Sequence, residues 1–424
     1  MQNCTFSFPT FSINATLPNF SYFSSTLCPS KLQIGLSLTC GYGSCKPLRR
    51  SRYGGSLVVH CVSNGENDDD GFYMRRCVQL ARKAIGFTSP NPLVGCVIVK
   101  DGKVVGEGFH PKAGQPHAEV VFALRDAGAL AESATAYVSL EPCNHFGRTP
   151  PCTEALIEAK VKKVVVGMVD PNPIVASKGV DRLRDAGIEV AVGVEEGLCK
   201  SLNEAYIHRM VTGKPFVTLR YSLSVNGNLL NLLGNGVTDC GGYYSRLLQE
   251  YDAVILSSSV FSENLSLPTS QEVGANQPIR IIVHEDSSSS NQIPLGISEV
   301  TDKVIIFTDS KSASAPEVAQ LGIETVALDR INLEAILDYC NSQGLCSVLL
   351  DIRGSFSELE ELVKEGIKKN YINKFVTEIL PLWNGCAEPD PLQRLKSLEK
   401  RVEVVNLQSK ASGQSVVIEG NFKF

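Results

Sequence analysis

Four residues of the chain, His117, Glu119, Cys143 and Cys152, have the types and spacing to do chemistry together. One imidazole and two thiolates make a three-donor set for zinc, and the fourth tetrahedral position is left for water, as in catalytic and not structural sites. Such a site provides hydroxide near neutral pH. Glu119, two positions after His117, is placed to carry a proton from that water to a leaving amine without ligating the metal. A His-x-Glu pair alone is a weak signal. Joined to Glu141-Pro142-Cys143 and then Cys152, it becomes a specific one.

These residues need elements to hold them. His117 begins a predicted helix over 117–127, Cys143 follows a predicted strand over 135–140, and Cys152 opens a predicted helix over 152–159. A helix N-terminus stabilises a thiolate, and loops at the carboxyl ends of strands are where open α/β sheets place their ligand sites. Asp68–Asp70 are read as the cap of a helix over 72–86, with Met74, Val78, Ala81 and Ile85 on one face. Strands over 93–99 and 103–108 are joined by a tight Asp101–Gly102 turn. Further strands are expected at 163–168 and 188–194, and helices at 178–186 and 195–212. The alternation predicts an α/β sandwich with a substantially parallel sheet. Gly213-Lys214-Pro215 breaks it and marks the expected domain boundary. A second α/β series follows, with strands at 216–223, 253–256, 279–283, 303–307, 347–351 and 374–379.

The constellation resembles that of zinc-dependent nucleobase deaminases. Deaminases of nucleic acids and free nucleosides commonly carry P-C-x-x-C, whereas eight residues separate Cys143 from Cys152 here. The segment from Leu140 through Asn144, His145, Phe146, Gly147 and Arg148 to Cys152 resembles that of the riboflavin-biosynthesis pyrimidine deaminases. Those enzymes act on a diaminopyrimidinone carrying a ribosylamine phosphate. Thr88–Gly95, Gly106–His110, the helix start at His117 and Asp170–Pro173 agree with it, and the likeness spans residues 71–213. It implies a cytidine-deaminase-like three-layer sandwich in which His117, Cys143 and Cys152 bind one zinc and Glu119 moves protons. It also implies that Asn91, His110, His145, Arg148 and Asn172 hold the ring, ribose and phosphate. The planar fork of Arg148 independently suits phosphate. Read alone, Asn91 and Asn172 are turn residues beside proline, and His110 is an ordinary strand-end histidine.

Residues 214–424 resemble, more faintly, the dihydrofolate-reductase-like domain fused to bacterial deaminases of this kind, which reduces the ribosyl group with NADPH. The departures fall at functional motifs. Asn226 replaces an expected Asp in S-L-D-G, and Gly234–Thr238 lacks the acid and the Trp of G-D-S-x-W-I-T. Glu263–Pro268 replaces D-x-P-x-L-T, and Leu350–Gly354 places Ile352 and Arg353 where V-E-G-G would let a phosphate approach. The reading is a retained fold without a working reductase site, NADPH not expected, and a separate reductase in the same compartment. The domain would remain as a packing partner of the deaminase or as the builder of a homo-oligomer.

The chain of 424 residues carries 40 basic and 45 acidic side chains. Five of the basic residues precede Glu66, the first acid, within a Ser- and Thr-rich stretch. That composition predicts a chloroplast transit peptide over residues 1–62, then a deaminase domain over 63–213 and the reductase-like domain over 214–424. The remaining 35 basic residues against 45 acidic count against a nucleic-acid partner. No apolar run is long enough to span a membrane. Of the fourteen cysteines five lie in the expected leader; Cys77, Cys96, Cys199, Cys240, Cys340, Cys346 and Cys386 read as buried thiols. The rival readings are a bifunctional deaminase-reductase using NADPH, a nucleic-acid deaminase, and a non-catalytic zinc scaffold that would leave Glu119 without a task.

Overall fold

The computed structural model describes residues 67–114, 118–145, 151–172, 176–262, 267–284, 303–309, 323–385 and 401–424. The expected leader, Cys386 and most of Glu263–Pro268 lie outside them. Helix α1 (Asn67–Ala81) begins ahead of Asp68–Asp70, so the three aspartates lie within its first turn and are not its cap. Asp70 instead accepts from Tyr137 Oη at 2.6 Å and Lys163 Nζ at 3.1 Å, which ties the helix to the sheet beneath it.

That sheet has the order β2-β1-β3-β4-β5, from β1 (Gly95–Lys100), β2 (Lys103–Phe109), β3 (Thr135–Val138), β4 (Lys163–Val166) and β5 (Glu189–Val192). The β1–β2 turn has positive φ at both Asp101 and Gly102, as a two-residue hairpin needs. A two-residue turn can join only antiparallel strands. β1 is antiparallel to β3 as well, and parallel pairing is confined to β3–β4–β5. The sheet is therefore mixed, not substantially parallel.

Two glycines on opposite faces of the hairpin set the layers. A Cβ at Gly95 would fall 2.0 Å from Cys77 O of α1, and one at Gly106 would fall 2.1 Å from Ala123 O of α2 (Ala118–Ala127). Helices thus press on both faces, with α3 (Cys152–Glu158) against α2 and α4 (Lys178–Asp185) against α3 and β5. The helix expected over 195–212 is two, α5 (Glu196–Leu202) and α6 (Glu204–Thr212). They part at Asn203, which is buried and uses its amide on Leu93, accepting from its N–H at 2.8 Å and donating to its C=O at 3.0 Å.

The second sheet belongs to the same compact unit and has the order β11-β10-β9-β8-β12-β6-β13-β15-β14, with β7 (Leu229–Leu230) paired to β6. Its parallel part comprises β6 (Phe216–Ser224), β8 (Ala253–Ser257), β9 (Ile279–His284), β10 (Val304–Asp309), β11 (Glu324–Leu328), β12 (Ser347–Asp351) and β13 (Ile372–Leu380). All six expected strands are present. β11 and the antiparallel hairpin β14 (Glu403–Ser412)–β15 (Ser415–Lys423) are additional. Most β14 side chains are exposed, so no apolar run marks that strand. Helices α7 (Tyr243–Glu250), α8 (Ser259–Ser262), α9 (Leu333–Ser342) and α10 (Phe356–Lys368) complete the described elements.

Candidate active site

β3 runs out through Ser139 and Leu140 to Glu141-Pro142-Cys143, and Cys152 opens α3. The backbone closes the eight-residue insert at its base. Cys152 N–H donates to Cys143 Sγ at 3.4 Å, and Thr153 N–H donates to Cys143 O at 3.2 Å. Thr153 Oγ1 also donates to Asn144 Oδ1 at 3.1 Å. Cys152 is buried and Cys143 half-buried. Two soft donors held together, one receiving an N–H that favours its thiolate, suit zinc. His117 lies outside the described residues, directly before α2, and Glu119 falls in the first turn of α2 with its side chain not described. Among the described residues no three His, Cys, Asp or Glu gather around one point; the proposed third donor lies outside them.

Glu141, a member of the motif with no role assigned to it from the sequence, organises the loop. It is buried, and its carboxylate accepts four backbone N–H bonds. Gly179 at 2.9 Å and Val180 at 3.1 Å donate to one oxygen; Ser177 at 3.0 Å and Asp170 at 3.1 Å donate to the other. So many donors leave the buried carboxylate fully partnered. The close approach requires glycine, since a Cβ at Gly179 would fall 2.0 Å from Pro142 O. The turn carrying Cys143 is thereby fixed to the start of α4 and to the loop carrying Asn172. In the sequence, the only hint is an acid directly after a buried strand; its partners are amides 29 to 39 residues away.

The proposed substrate residues divide. Asn91 Nδ2 lies 3.2 Å from Nε2 of the buried His110, whose N–H donates to Val94 O. Asn91 is also a turn residue, its N–H donating to Thr88 O at 2.7 Å. Asn172 is half-buried, and its N–H donates to Asp170 Oδ1 at 2.9 Å, an oxygen that Tyr206 Oη also approaches at 3.2 Å. Burial pushes the Asp170 carboxyl up. His145 is exposed, and Arg148 lies outside the described residues.

The second sheet places a buried charge cluster near the carboxyl ends of β6, β12 and β13. Arg220, Asp351 and Glu378 are fully buried. Arg220 reaches Glu378 at 3.1 Å and Asp351 at 3.4 Å. Tyr243 Oη donates to Glu378 at 2.8 Å, and Tyr244 Oη donates to Asp351. Arg353 Nε donates to Asp351 at 3.0 Å, its guanidinium 5.0 Å from the Tyr244 ring. Ile352 and Val237 are core residues. Asn226 accepts from Asn384 N–H at 3.1 Å and donates through Nδ2 to Asn384 O at 2.8 Å. A carboxylate there could make only the first bond. Of the single cysteines, Cys240 is exposed, contrary to expectation; Cys77, Cys96, Cys199, Cys340 and Cys346 are buried.

Residues 67–168 match the cytidine and deoxycytidylate deaminase zinc-binding region. The chain is 56% identical over 383 residues to riboflavin biosynthesis protein PYRD, chloroplastic, of Arabidopsis thaliana, covering 89% of each. It is 54% identical over 368 residues to the Zea mays protein of that name, covering 86% of this chain and 92% of that one. To RibD of Synechocystis it is 37% identical, over 83% of this chain and 96% of that one. Acinetobacter baumannii RibD superposes with a TM-score of 0.67 at 32% identity, over 85% of this chain and 100% of that one. A Thermotoga maritima diaminohydroxyphosphoribosylaminopyrimidine deaminase/5-amino-6-(5-phosphoribosylamino)uracil reductase superposes with a TM-score of 0.70 at 29% identity, over 84% and 99%. The fold is accordingly a cytidine-deaminase-like domain joined to a dihydrofolate-reductase-like one.

Proposed function

The chain belongs to the PYRD/RibD family of riboflavin-biosynthesis proteins, and from that premise we propose that it hydrolyses the exocyclic amine of a diaminopyrimidinone ribosylamine phosphate, releases ammonia, and does not reduce the product. It is an enzyme, a pyrimidine deaminase, and the plastid is its compartment, in line with the two plant relatives, both named chloroplastic. A transit peptide over residues 1–62 would take it there.

The observation that carries the deaminase reading is the convergence of Cys143 and Cys152 through the N–H to Sγ bond. With His117 they would hold one zinc, which supplies an activated water near neutral pH. Glu119 takes the proton of the attacking water and returns protons to the ring and the departing amine. Asn91, His110, His145 and Asn172 orient the base and sugar, and Arg148 reads the phosphate.

Loss of the reductase activity is supported by the residues that replace the reductase motifs in the second domain. Ile352 and Arg353, both buried, stand where the V-E-G-G of the resembling reductase domains would let backbone approach a phosphate, and the amide of Asn226 is committed to Asn384. The substrate should be incubated with residues 62–424, with and without NADPH, and the products identified by mass. Ammonia with an intact ribosyl ring and unchanged NADPH is expected. A ribityl product formed at the expense of NADPH would restore the bifunctional reading, and absence of ammonia would remove the deaminase itself.

A further inference from the structure

The two domains meet at the turn that carries Asn91, and the second domain supplies much of what fixes it. Asp252, at the start of β8, accepts from Ser89 Oγ at 2.8 Å. The same Asp252 oxygen accepts from the N–H groups of Cys346 at 2.7 Å and Ser347 at 3.0 Å, so it is anchored in its own domain before it reaches across. Gln249 Nε2, at the end of α7, donates to Ile85 O at 3.2 Å. Backbone meets backbone beside it, since a Cβ at Gly86 would fall 2.3 Å from Gln249 O. Cys346 Sγ lies 3.7 Å from Pro90 O; burial pushes that thiol up, which keeps its proton available to donate.

These contacts matter because packing beneath the turn is incomplete. A cavity of about 380 Å³ runs between the domains, lined in part by Thr88, Ser89, Asn91, Asp252 and Cys346. A turn over a cavity lacks the dense apolar contacts that fix a core segment. Its position then depends on polar anchors from both sides: Asn203 at Leu93, Ala113 N–H at Phe87 O and His110 at Asn91 from the first domain, and Asp252, Gln249 and Cys346 from the second.

We propose that the reductase-like domain acts as a prop for the deaminase's substrate turn, with Asp252 the positioning residue that holds Asn91 through Ser89. This rests on the reading that Asn91 contacts the pyrimidine substrate. It gives the second domain a task that needs no nucleotide: a polar anchor at residue 89 sets where the amide of Asn91 stands relative to His110.

The test uses the full chain carrying Ser89→Ala, Ser89→Thr and Asp252→Ala. Ser89→Ala removes the cross-domain donor and leaves Asp252 on its own amides. It should raise KM for the phosphorylated pyrimidine by about tenfold, the scale of one hydrogen bond to a charged group, while kcat changes little and zinc content is unchanged. Ser89→Thr keeps the hydroxyl and should restore KM. Asp252→Ala removes that bond and its own two amide bonds, so it should raise KM at least as much, and the double alanine variant should go no further than Asp252→Ala, because the Ser89–Asp252 bond is common to both. Hydrogen exchange at residues 85–93 provides a readout independent of turnover, and protection of the Asn91 amide should fall in both alanine variants. Unchanged KM and unchanged protection in Ser89→Ala would overturn the proposal. So would equal losses in kcat, KM and zinc, which would mark a general loss of structure. If the unaltered protein released no ammonia, the deaminase reading would fail, and the exchange data alone would still decide whether the second domain holds the turn.

Discussion

The N–H of Cys152 lies 3.4 Å from the sulfur of Cys143, across an insert of eight residues. One proposed metal donor is thus oriented by the first residue of the helix that carries the other. Replacing Cys143 with Ser substitutes a harder oxygen that does not ionise near neutral pH. Purified wild-type protein should contain close to one zinc per chain, and Cys143→Ser should lose most of it by elemental analysis. Full retention by the variant would show that Cys143 is not a ligand.

Glu119 stands in the first turn of α2, two residues beyond the proposed histidine ligand. Glu119→Gln preserves size and removes the titratable group. Zinc content and substrate binding should persist while kcat falls by about 10²–10⁴-fold, the range for a general acid–base group. A rate within a few-fold of wild type would assign the proton transfers to another residue.

Glu141 holds two loops through four amides, and Gln in its place would turn an NH₂ toward two of those donors. Leaving buried donors unpaired costs about 1–3 kcal/mol each. Glu141→Gln should therefore lower the melting temperature by several degrees and depress kcat, because the turns bearing Cys143 and Asn172 both lose their tether. Unchanged melting and kcat would mean that the amides find other acceptors.

What the sequence disclosed and what it withheld follow one division. The Asp101–Gly102 turn was legible because its constraint is local: both residues take positive φ. The membership of residues 67–168 in a zinc-binding deaminase region was legible because the pattern depends on residue type and spacing. The break at Asn203 was not, because helical periodicity continues through it. What stops the helix there is an amide committed to Leu93, 110 positions away. Arg220 was hidden similarly. It sits in a correctly read strand, yet its burial makes sense only once Asp351 and Glu378 arrive from neighbouring strands. Glu141 belongs with these, since backbone amides leave no trace in side-chain identity.

Arg148 lies in the insert, and its proposed role is separable from a structural one. Arg148→Ala should weaken binding of the phosphorylated substrate about tenfold or more and leave the dephosphorylated analogue nearly unaffected, since only the former offers oxygens to the guanidinium. Equal losses on both, measured by KM, would assign Arg148 to shaping the loop.

At the seam between the sheets, two glutamates titrate in opposite senses. Burial, reinforced by the nearby Glu419 charge, pushes the Glu204 carboxyl up, and Lys374 and a hydrogen bond from Asn421 only partly offset it. Glu419 is also opposed by burial, but its 3.0 Å ion pair with Lys374 prevails and holds it below the usual glutamate range. The raised group binds its proton more tightly folded than unfolded. Its contribution to stability is therefore full below the ordinary glutamate pKa and is lost as pH rises through the folded value. The lowered group does the reverse: its contribution is present above the ordinary value and is lost as pH falls through the folded one. Glu204→Gln should then raise the melting temperature at about pH 8 and lose that advantage toward about pH 4, while Glu419→Gln should lower it at about pH 8 with the deficit shrinking on acidification. Melting curves of the two variants across that range should converge on wild type from opposite sides. Parallel curves, or a Glu204→Gln deficit at alkaline pH, would show that Lys374 governs Glu204 and not its burial.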